Sequence, residues 1–199
     1  MVDGPAPEIN RPARSPERAD ARRNRRRILD AAIGLILEIG GEPARDAVAR
    51  RAGVGIGTLY RHFPDQQQLL RAVVLDVLDR TIAAGAAALD EAPSGAEALR
   101  RYLHAAIDIG LGVVNIVHAR LSDADWPEQR AAAQAMLTKL VEAARRDEAI
   151  GPDVDGSEIA LAAIRFCRPL AIGLDPTAER AIAHRHLDCY LDGLAARAR

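Results

Sequence analysis

Residues 52–63 read AGVGIGTLYRHF, which is the pattern of a tight turn followed by one short helix. Gly53 can adopt the left-handed conformation that ends a preceding helix, and Gly55 and Gly57 let the backbone approach another surface closely. Four side chains with donors suited to phosphates and base edges follow: Thr58, Tyr60, Arg61 and His62. Three apolar side chains can anchor the short helix: Val54, Leu59 and Phe63. The stretch therefore predicts the recognition half of a helix-turn-helix.

The longer run ARRAGVGIGTLYRHF resembles the DNA-binding signature of the TetR family of bacterial transcriptional repressors, and the likeness extends over about residues 22–75. The resemblance implies an all-α fold of about nine helices, with an N-terminal three-helix helix-turn-helix DNA-binding domain and a C-terminal helical bundle for ligand binding and dimerisation. We expect DNA contacts at these positions: Arg27, Arg45, Gly55, Gly57, Thr58, Tyr60, Arg61 and His62.

Two positions depart from the family pattern. Family members usually carry an apolar or small hydroxyl residue where Arg45 stands, and often a lysine or arginine where this chain has Asp65, Gln66 and Gln67. We expect Arg45 to contact a phosphate at the start of the second helix, and looser packing of that helix is the alternative. The second departure leaves the fourth helix without the cation that would reach a phosphate there.

Composition favours an all-helical chain, because alanine, leucine and arginine abound and strand-forming residues are scarce. A length of 199 residues suits one or two domains with a real core. Residues 1–63 carry 12 arginines and 8 acids, and the other 136 residues carry 15 basic and 20 acidic side chains, so balances of +4 and −5 give the net charge of −1. This asymmetry suggests nucleic acid at one end only, and an ordinary solvated surface is the alternative.

Three segments are predicted along the chain. They are a proline-rich disordered arm over 1–17, the helix-turn-helix DNA-binding domain over 18–64, and the helical ligand-binding and dimerisation domain over 65–199. No apolar run reaches the ~18 residues of a membrane span and no secretion signal is visible, so we expect a cytoplasmic protein with no membrane partner. Cys167 and Cys189 lie in apolar helical stretches and are expected to be buried free thiols.

Periodicity and capping residues predict where the helices begin and end. The first three helices are expected over 17–39, 44–52 and 56–63. Later helices have predicted caps: Asp65 with Gln68, Ser94 with Glu97, Asp155 with Glu158, and Asp175 followed by Pro176. Gly110 and Gly112 should divide the stretch 96–121 into two helices, and Pro169 should kink or end the eighth.

No catalytic, metal or cofactor site is predicted, so the chain is not expected to be an enzyme. His184, His186 and Cys189 spell H-x-H-x-x-C, but residues two apart on a helix point roughly 200° apart, so the two histidines cannot share one ion. The G-x-G-x-G string at 53–57 would need a preceding strand to bind a dinucleotide, and the residues before it read as a helix.

The helices of the body predict a ligand cavity and a dimer interface. Side chains that could line a cavity among helices 5 to 8 are Tyr102, His104, Asp108, Asn115, His118, Trp126, Arg165 and Arg168. Each could equally be solvated or internally paired. The resemblance implies that the last two helices form a four-helix dimer interface, with candidates Ile159, Phe166, Leu170, Leu187, Tyr190, Leu191 and Leu194.

The sequence as a whole predicts a homodimeric transcriptional regulator. It is expected to repress until an unknown small-molecule effector releases it from a palindromic double-stranded DNA operator, since one short recognition helix reads only a few base pairs. The alternative is a helical ligand-binding or scaffold protein that has lost sequence-specific DNA binding. A steep loss of DNA affinity with salt would separate the two.

Overall fold

The structure, a computed structural model, describes residues 16–121, 126–151, 153–168 and 175–198. Within these ranges it is all-α, without a strand, as predicted. The helices are α1 (Pro16–Ile39), α2 (Arg45–Ala52), α3 (Ile56–His62), α4 (Gln66–Glu91), α5 (Gly95–Ile109), α6 (Gly112–Val117), α7 (Pro127–Arg146), α8 (Gly156–Cys167) and α9 (Pro176–Arg197). A short 3₁₀ turn over His118–Arg120 follows α6.

Side-chain caps begin several helices where the sequence predicted them. Three caps are confirmed by oxygens that accept a backbone N–H three residues on: Asp65 from Gln68 at 2.7 Å, Ser94 from Glu97 at 3.2 Å and Asp175 from Ala178 at 2.9 Å. The fourth cap also exists, but Asp155 accepts from the N–H of Ser157 at 3.2 Å and not from Glu158. Each cap satisfies one of the free N–H groups in a helix's first turn.

Glycines set the break between α5 and α6. Gly110 ends α5 in the left-handed conformation with a φ of 90°, which confirms the predicted division. Gly112 opens α6 against the end of α8, and a Cβ there would stand 2.0 Å from the carbonyl oxygen of Cys167. Only a residue without a side chain permits this approach of the two backbones.

Two apolar clusters hold the molecule together. The first cluster contains residues of α1, α2, α3, α4 and α6, and Ile28, Val48 and Leu69 are fully buried in it. The second joins the end of α4 with α5, α7, α8 and α9, and includes Leu103 and Leu140. Because α4 contributes to both clusters, it connects the N-terminal helices to the body.

An ionic network also joins α1 to α4. The guanidinium of Arg26 donates to Asp30 on its own helix at 2.8 Å and to Asp76 on α4 at 2.9 Å. Arg80 lies 3.6 Å from Asp76. Hydrogen bonding to Asp30 is the largest cause that raises the pKa of Arg26, against the effect of burial. These contacts tie the first helix to the long helix on the solvent side of the core.

Several expectations need correction or fall outside the described residues. The helix α1 begins at Pro16, so the last two residues of the predicted 1–17 arm are helical. Cys189 is exposed, whereas Cys167 is buried as expected, and burial raises the pKa of its thiol to about 12. Pro169, which was expected to end α8, lies outside the described residues. None of the described helices combines the length and apolar character that crossing a membrane would require.

Candidate nucleic-acid interface

A left-handed glycine makes the turn between α2 and α3. Gly53 ends α2 with a φ of 61°, as predicted, and its N–H bonds back to carbonyls of the last turn. Arg27 on α1 donates from Nη2 to the Gly53 carbonyl at 2.8 Å. A Cβ at Gly53 would stand 2.5 Å from the same nitrogen and would displace the end of the Arg27 side chain, and the positive φ favours glycine here.

The inner side of α3 is anchored in the first apolar cluster. Leu59 and Phe63 are buried, as the sequence predicted, against α2 residues that include Val48. The backbone N–H of Val54 donates to the carbonyl of Ala49 at 3.0 Å and closes the turn. The packing of this inner face fixes the angle between α2 and α3 and leaves the opposite face of α3 exposed to solvent.

The outer side of α3 presents apolar and small residues to solvent. Tyr60 is 49% exposed and Ile56 is 45% exposed. A Cβ added at Gly55 or Gly57 would meet nothing within 4 Å. Sequence reasoning missed Ile56, although its spacing of four residues before Tyr60 places both on one helix face. Large side chains that stay about half exposed on a short helix favour contact with another molecule.

Arg45 packs against the end of α3. Its Nη1 donates to the carbonyl of Pro64 at 2.9 Å and its Nη2 donates to the carbonyl of Phe63, so the guanidinium holds the end of α3. Its Cζ lies 3.9 Å from the centre of the Tyr60 ring. In the free chain Arg45 therefore caps the recognition helix, and the phosphate contact expected of it stays a prediction.

Other polar residues of the helix-turn-helix contact one another. Arg61 donates from Nη2 to Oγ1 of Thr58 at 3.0 Å across one turn of α3. His62 is half-buried, and its pKa is lowered, first by burial and then by the charges of Arg25 and Arg61. The neutral ring that this favours can donate one hydrogen bond and accept another.

Much of the N-terminal positive charge is paired inside the molecule. Besides the Arg26 network, Arg51 forms a two-pronged pair with Glu38 at 2.6 and 2.8 Å, and Arg50 pairs with Asp46 at 2.7 Å. The 12 arginines counted in residues 1–63 therefore overstate the number of cations available to a phosphate backbone, whereas the balance of +4 already includes these paired acids.

In the described part of the chain, the residues predicted to line a ligand cavity lie in several different places. Trp126 is buried in the first apolar cluster and Tyr102 in the second, where burial raises the pKa of its hydroxyl to about 12. His104 and Asp108 lie at the contact between α5 and α9. The remaining four are exposed: Asn115, His118, Arg165 and Arg168. A pocket of about 180 Å³ lies between α5, α7 and α9, and none of the eight predicted residues lines it.

The predicted dimer residues divide between the core and the outer surface. Four of them are buried within the second cluster of the single chain: Ile159, Leu187, Leu191 and Leu194. They are corrected to core residues, because a buried side chain offers no surface to a partner. Phe166 and Tyr190 are half-buried with ring centres 5.7 Å apart. Leu170 lies outside the described residues, and sequence reasoning missed Leu161, which is 55% exposed.

The arrangement of α2, the turn and the outward face of α3 defines a helix-turn-helix DNA-binding protein. Residues 28–73 match the family model of bacterial regulatory proteins, tetR family. The fold is similar to the TetR transcription regulatory protein from Mycobacterium vanbaalenii, at 32% identity over 90% of this chain and 99% of that chain, with a TM-score of 0.65. It is also similar to the TetR-like regulator LfrR from Mycobacterium smegmatis in complex with proflavine, at 26% identity over 85% and 96% of the two chains and a TM-score of 0.61.

The sequence is also similar to that of a curated transcriptional regulator. An uncharacterized HTH-type transcriptional regulator of Mycobacterium tuberculosis is 36% identical over 92 residues. That match spans about half of each protein, 46% of this chain and 47% of the relative. The similarity to the Mycobacterium vanbaalenii regulator covers nearly all of both chains, so the chain belongs to the TetR family and is a DNA-binding transcriptional regulator.

Proposed function

We propose that the chain is a repressor that binds a palindromic operator as a homodimer and is released by a small-molecule effector. The observation that carries the proposal is the outward face of α3, where Ile56 and Tyr60 are about half exposed beside two glycines with open space around them. A short helix anchored on one side and open on the other suits insertion into the major groove.

Each part of this face has a proposed role in the groove. Gly55 and Gly57 allow close approach to the backbone of DNA, and Tyr60 reaches a phosphate or a base edge. Ile56 offers an apolar contact of the kind that reads a thymine methyl. Thr58, Arg61 and His62 add polar contacts along the same helix, and Arg27 anchors a flanking phosphate.

A second copy is required because one seven-residue helix reads too few bases for useful specificity. The outer faces of α8 and α9 are the proposed contact surface. Among the described residues, Leu161 on α8 is large, apolar and 55% exposed, and Phe166 and Tyr190 are half-buried. The pairing would set the spacing of two recognition helices at about 34–36 Å, one turn of DNA.

Release by an effector would act through α4. This helix packs in both apolar clusters and is tied to α1 by Arg26 and Asp76, so a change in its inclination moves the helix-turn-helix. The complex of LfrR with proflavine supports the idea that related regulators bind a small molecule. The effector need only prefer the released arrangement by about 1–3 kcal/mol to weaken DNA binding by about 5–150-fold.

A titration of fluorescence anisotropy against the DNA just upstream of the chain's own gene tests the proposal. The wild type should bind saturably, and its affinity should fall steeply between about 50 and 200 mM salt. Tyr60→Ala should lose most of this affinity. Ile39→Ala is the matched control, because Ile39 is equally exposed but lies at the end of α1.

Equal binding by Tyr60→Ala, or a flat response to salt, would contradict the proposed use of α3. If the upstream fragment does not bind, selection of fragments from the whole genome follows. Failure to select any fragment would favour the alternative, a helical protein that has lost sequence-specific DNA binding.

A further inference from the structure

Two histidines from distant parts of the chain meet where α5 contacts α9. His104 and His184 bring their Nδ1 atoms within 2.6 Å. Their rings are 15° from coplanar, with centres 4.9 Å apart. The distance between the two ring centres is longer than the distance between the two Nδ1 atoms by about the width of one ring. This difference is expected when two coplanar rings point their Nδ1 atoms directly at each other. The lone-pair direction of each Nδ1 therefore points at the other nitrogen.

The far side of each ring is held by a carboxylate. His104 Nε2 lies 2.9 Å from Oδ1 of Asp188, and His184 Nε2 lies 3.0 Å from Oδ1 of Asp108. An ionised carboxylate only accepts hydrogen bonds, so both Nε2 atoms carry the hydrogen. In a neutral imidazole the other nitrogen is then an acceptor. Two acceptors in direct contact repel, so the geometry requires a positive charge between the rings: a proton or a metal ion.

The charge around the pair favours a cation. Arg100 pairs with both Asp188 and Asp192, and Asp108 is the third carboxylate of the cluster. Three carboxylates and one guanidinium leave a net negative charge beside the two rings, which attracts a cation from solvent. The two imidazole side chains are 26% and 25% exposed, so an ion can reach them from solvent.

We propose that His104 and His184 form a binding site for a divalent transition-metal ion such as Ni²⁺, Cu²⁺ or Zn²⁺. The two Nδ1 atoms are the protein ligands, and Asp108 and Asp188 orient the rings from outside, as carboxylates do behind metal-binding histidines. No group of three or more ligating side chains converges among the described residues, so water completes the coordination.

The two rings must move apart to admit the ion. Because the lone pairs point at each other, the two nitrogens would lie on opposite sides of the ion, as in square-planar Cu²⁺ and Ni²⁺ sites. At metal–nitrogen distances of about 2.0–2.1 Å the nitrogens would be about 4 Å apart, so the rings must separate by about 1.5 Å from their present contact. Because the ligands come from α5 and α9, the ion would fasten these two helices together.

The H-x-H spacing in the sequence did not reveal which residue is the partner of His184. His184 and His186 are two residues apart and cannot share an ion, which remains true on α9. The true partner of His184 lies 80 residues away on another helix. His186 is exposed and serves as a matched control for adventitious binding by a surface histidine.

Calorimetric titration of the untagged, chelator-treated full chain with Ni²⁺ tests the site without using DNA. We expect about one ion per chain, with affinity rising from Co²⁺ through Ni²⁺ to Cu²⁺, the order typical of such ligands. His104→Gln and His184→Gln should each weaken binding at least tenfold, whereas His186→Gln should leave it unchanged. Asp108→Asn should weaken it by about 10–100-fold.

The result that overturns the proposal is wild-type binding no stronger than that of His104→Gln, or binding lost only in His186→Gln. The rings would then hold a proton. If a variant fails to fold by circular dichroism, electron paramagnetic resonance of wild-type protein with Cu²⁺ decides: coupling to imidazole nitrogens supports the site, and its absence refutes it. Because neither experiment involves DNA, failure of this site and failure of the proposed repressor function are separate outcomes.

Discussion

Replacing Arg45 by methionine should destabilise the helix-turn-helix, because the guanidinium holds the end of α3. Two charged hydrogen bonds to the carbonyls of Phe63 and Pro64 contribute about 1.5 kcal/mol each at the low end of their range. Contact with the Tyr60 ring adds about 0.5–1 kcal/mol. The Nε of Arg45 is buried with no partner among the described residues, which costs about 1–2 kcal/mol. The net loss in unfolding free energy should be about 2 kcal/mol.

Urea denaturation measures this change, and Arg50→Met on the same helix is its control. Arg50 is exposed and pairs only within α2 in the contacts described, so its loss should change stability by less than about 0.5 kcal/mol. In DNA binding, Arg45→Met should lower affinity without changing the salt dependence. A lost phosphate contact would instead reduce the slope of log K against log salt by about 0.9.

A double-mutant cycle joins the two measurements. Arg45→Met and Tyr60→Ala remove two groups in contact, so their effects on DNA affinity should not add. The reasoning is refuted if Arg45→Met has wild-type stability and a reduced salt slope, because Arg45 would then act at a phosphate and not as a cap.

Four further substitutions probe the same unit. Gly53→Ala should lower the unfolding free energy measured in urea by about 1–2 kcal/mol, since φ at this position is positive and the added Cβ meets Arg27. Gly57→Ala should leave stability unchanged and weaken DNA binding. Equal stability of the two variants would contradict the turn geometry. Ile56→Ser should change operator affinity and base preference with stability within about 0.5 kcal/mol, and unaltered binding would exclude it from the interface. The pKa of His62 is lowered in the folded state, so its contribution to stability is fully present above its unfolded pKa of about 6.5 and is lost as pH falls through and below that value. His62→Gln should reduce this loss in melting experiments at pH 5 to 7, and an identical pH profile would show that other groups dominate.

Features that depend on local sequence could be predicted. The bounds of α1, α2 and α3 lie within one residue of the predicted ones, and the caps at Asp65 and Ser94 follow from residues three apart. The left-handed Gly53 was likewise readable, because few other residues adopt that conformation. Each of these rests on a contact within one turn of the chain.

Features that depend on distant partners could not be predicted. The cap that Arg45 forms on α3 was not predicted, because its carbonyl partners lie 18 and 19 residues away, around a turn whose angle the sequence does not specify. The apolar residues of α8 and α9 indicated two buried surfaces, but not which one faces the core, so Ile159 and Leu187 were assigned to the wrong side. Exposure of Ile56 needed the position of α2 beneath α3.

The length of α4 has a mechanical consequence for the proposed release from DNA. The helix has 26 residues and is therefore about 39 Å long. A rotation of about 5° about its far end would displace the end next to α3 by about 3 Å, close to the spacing of about 3.4 Å between successive nucleotides along one strand. An effector therefore has no need to unfold or remodel the body. A tilt small enough to be absorbed by side-chain adjustments in the core would already carry each recognition helix out of register by one base step.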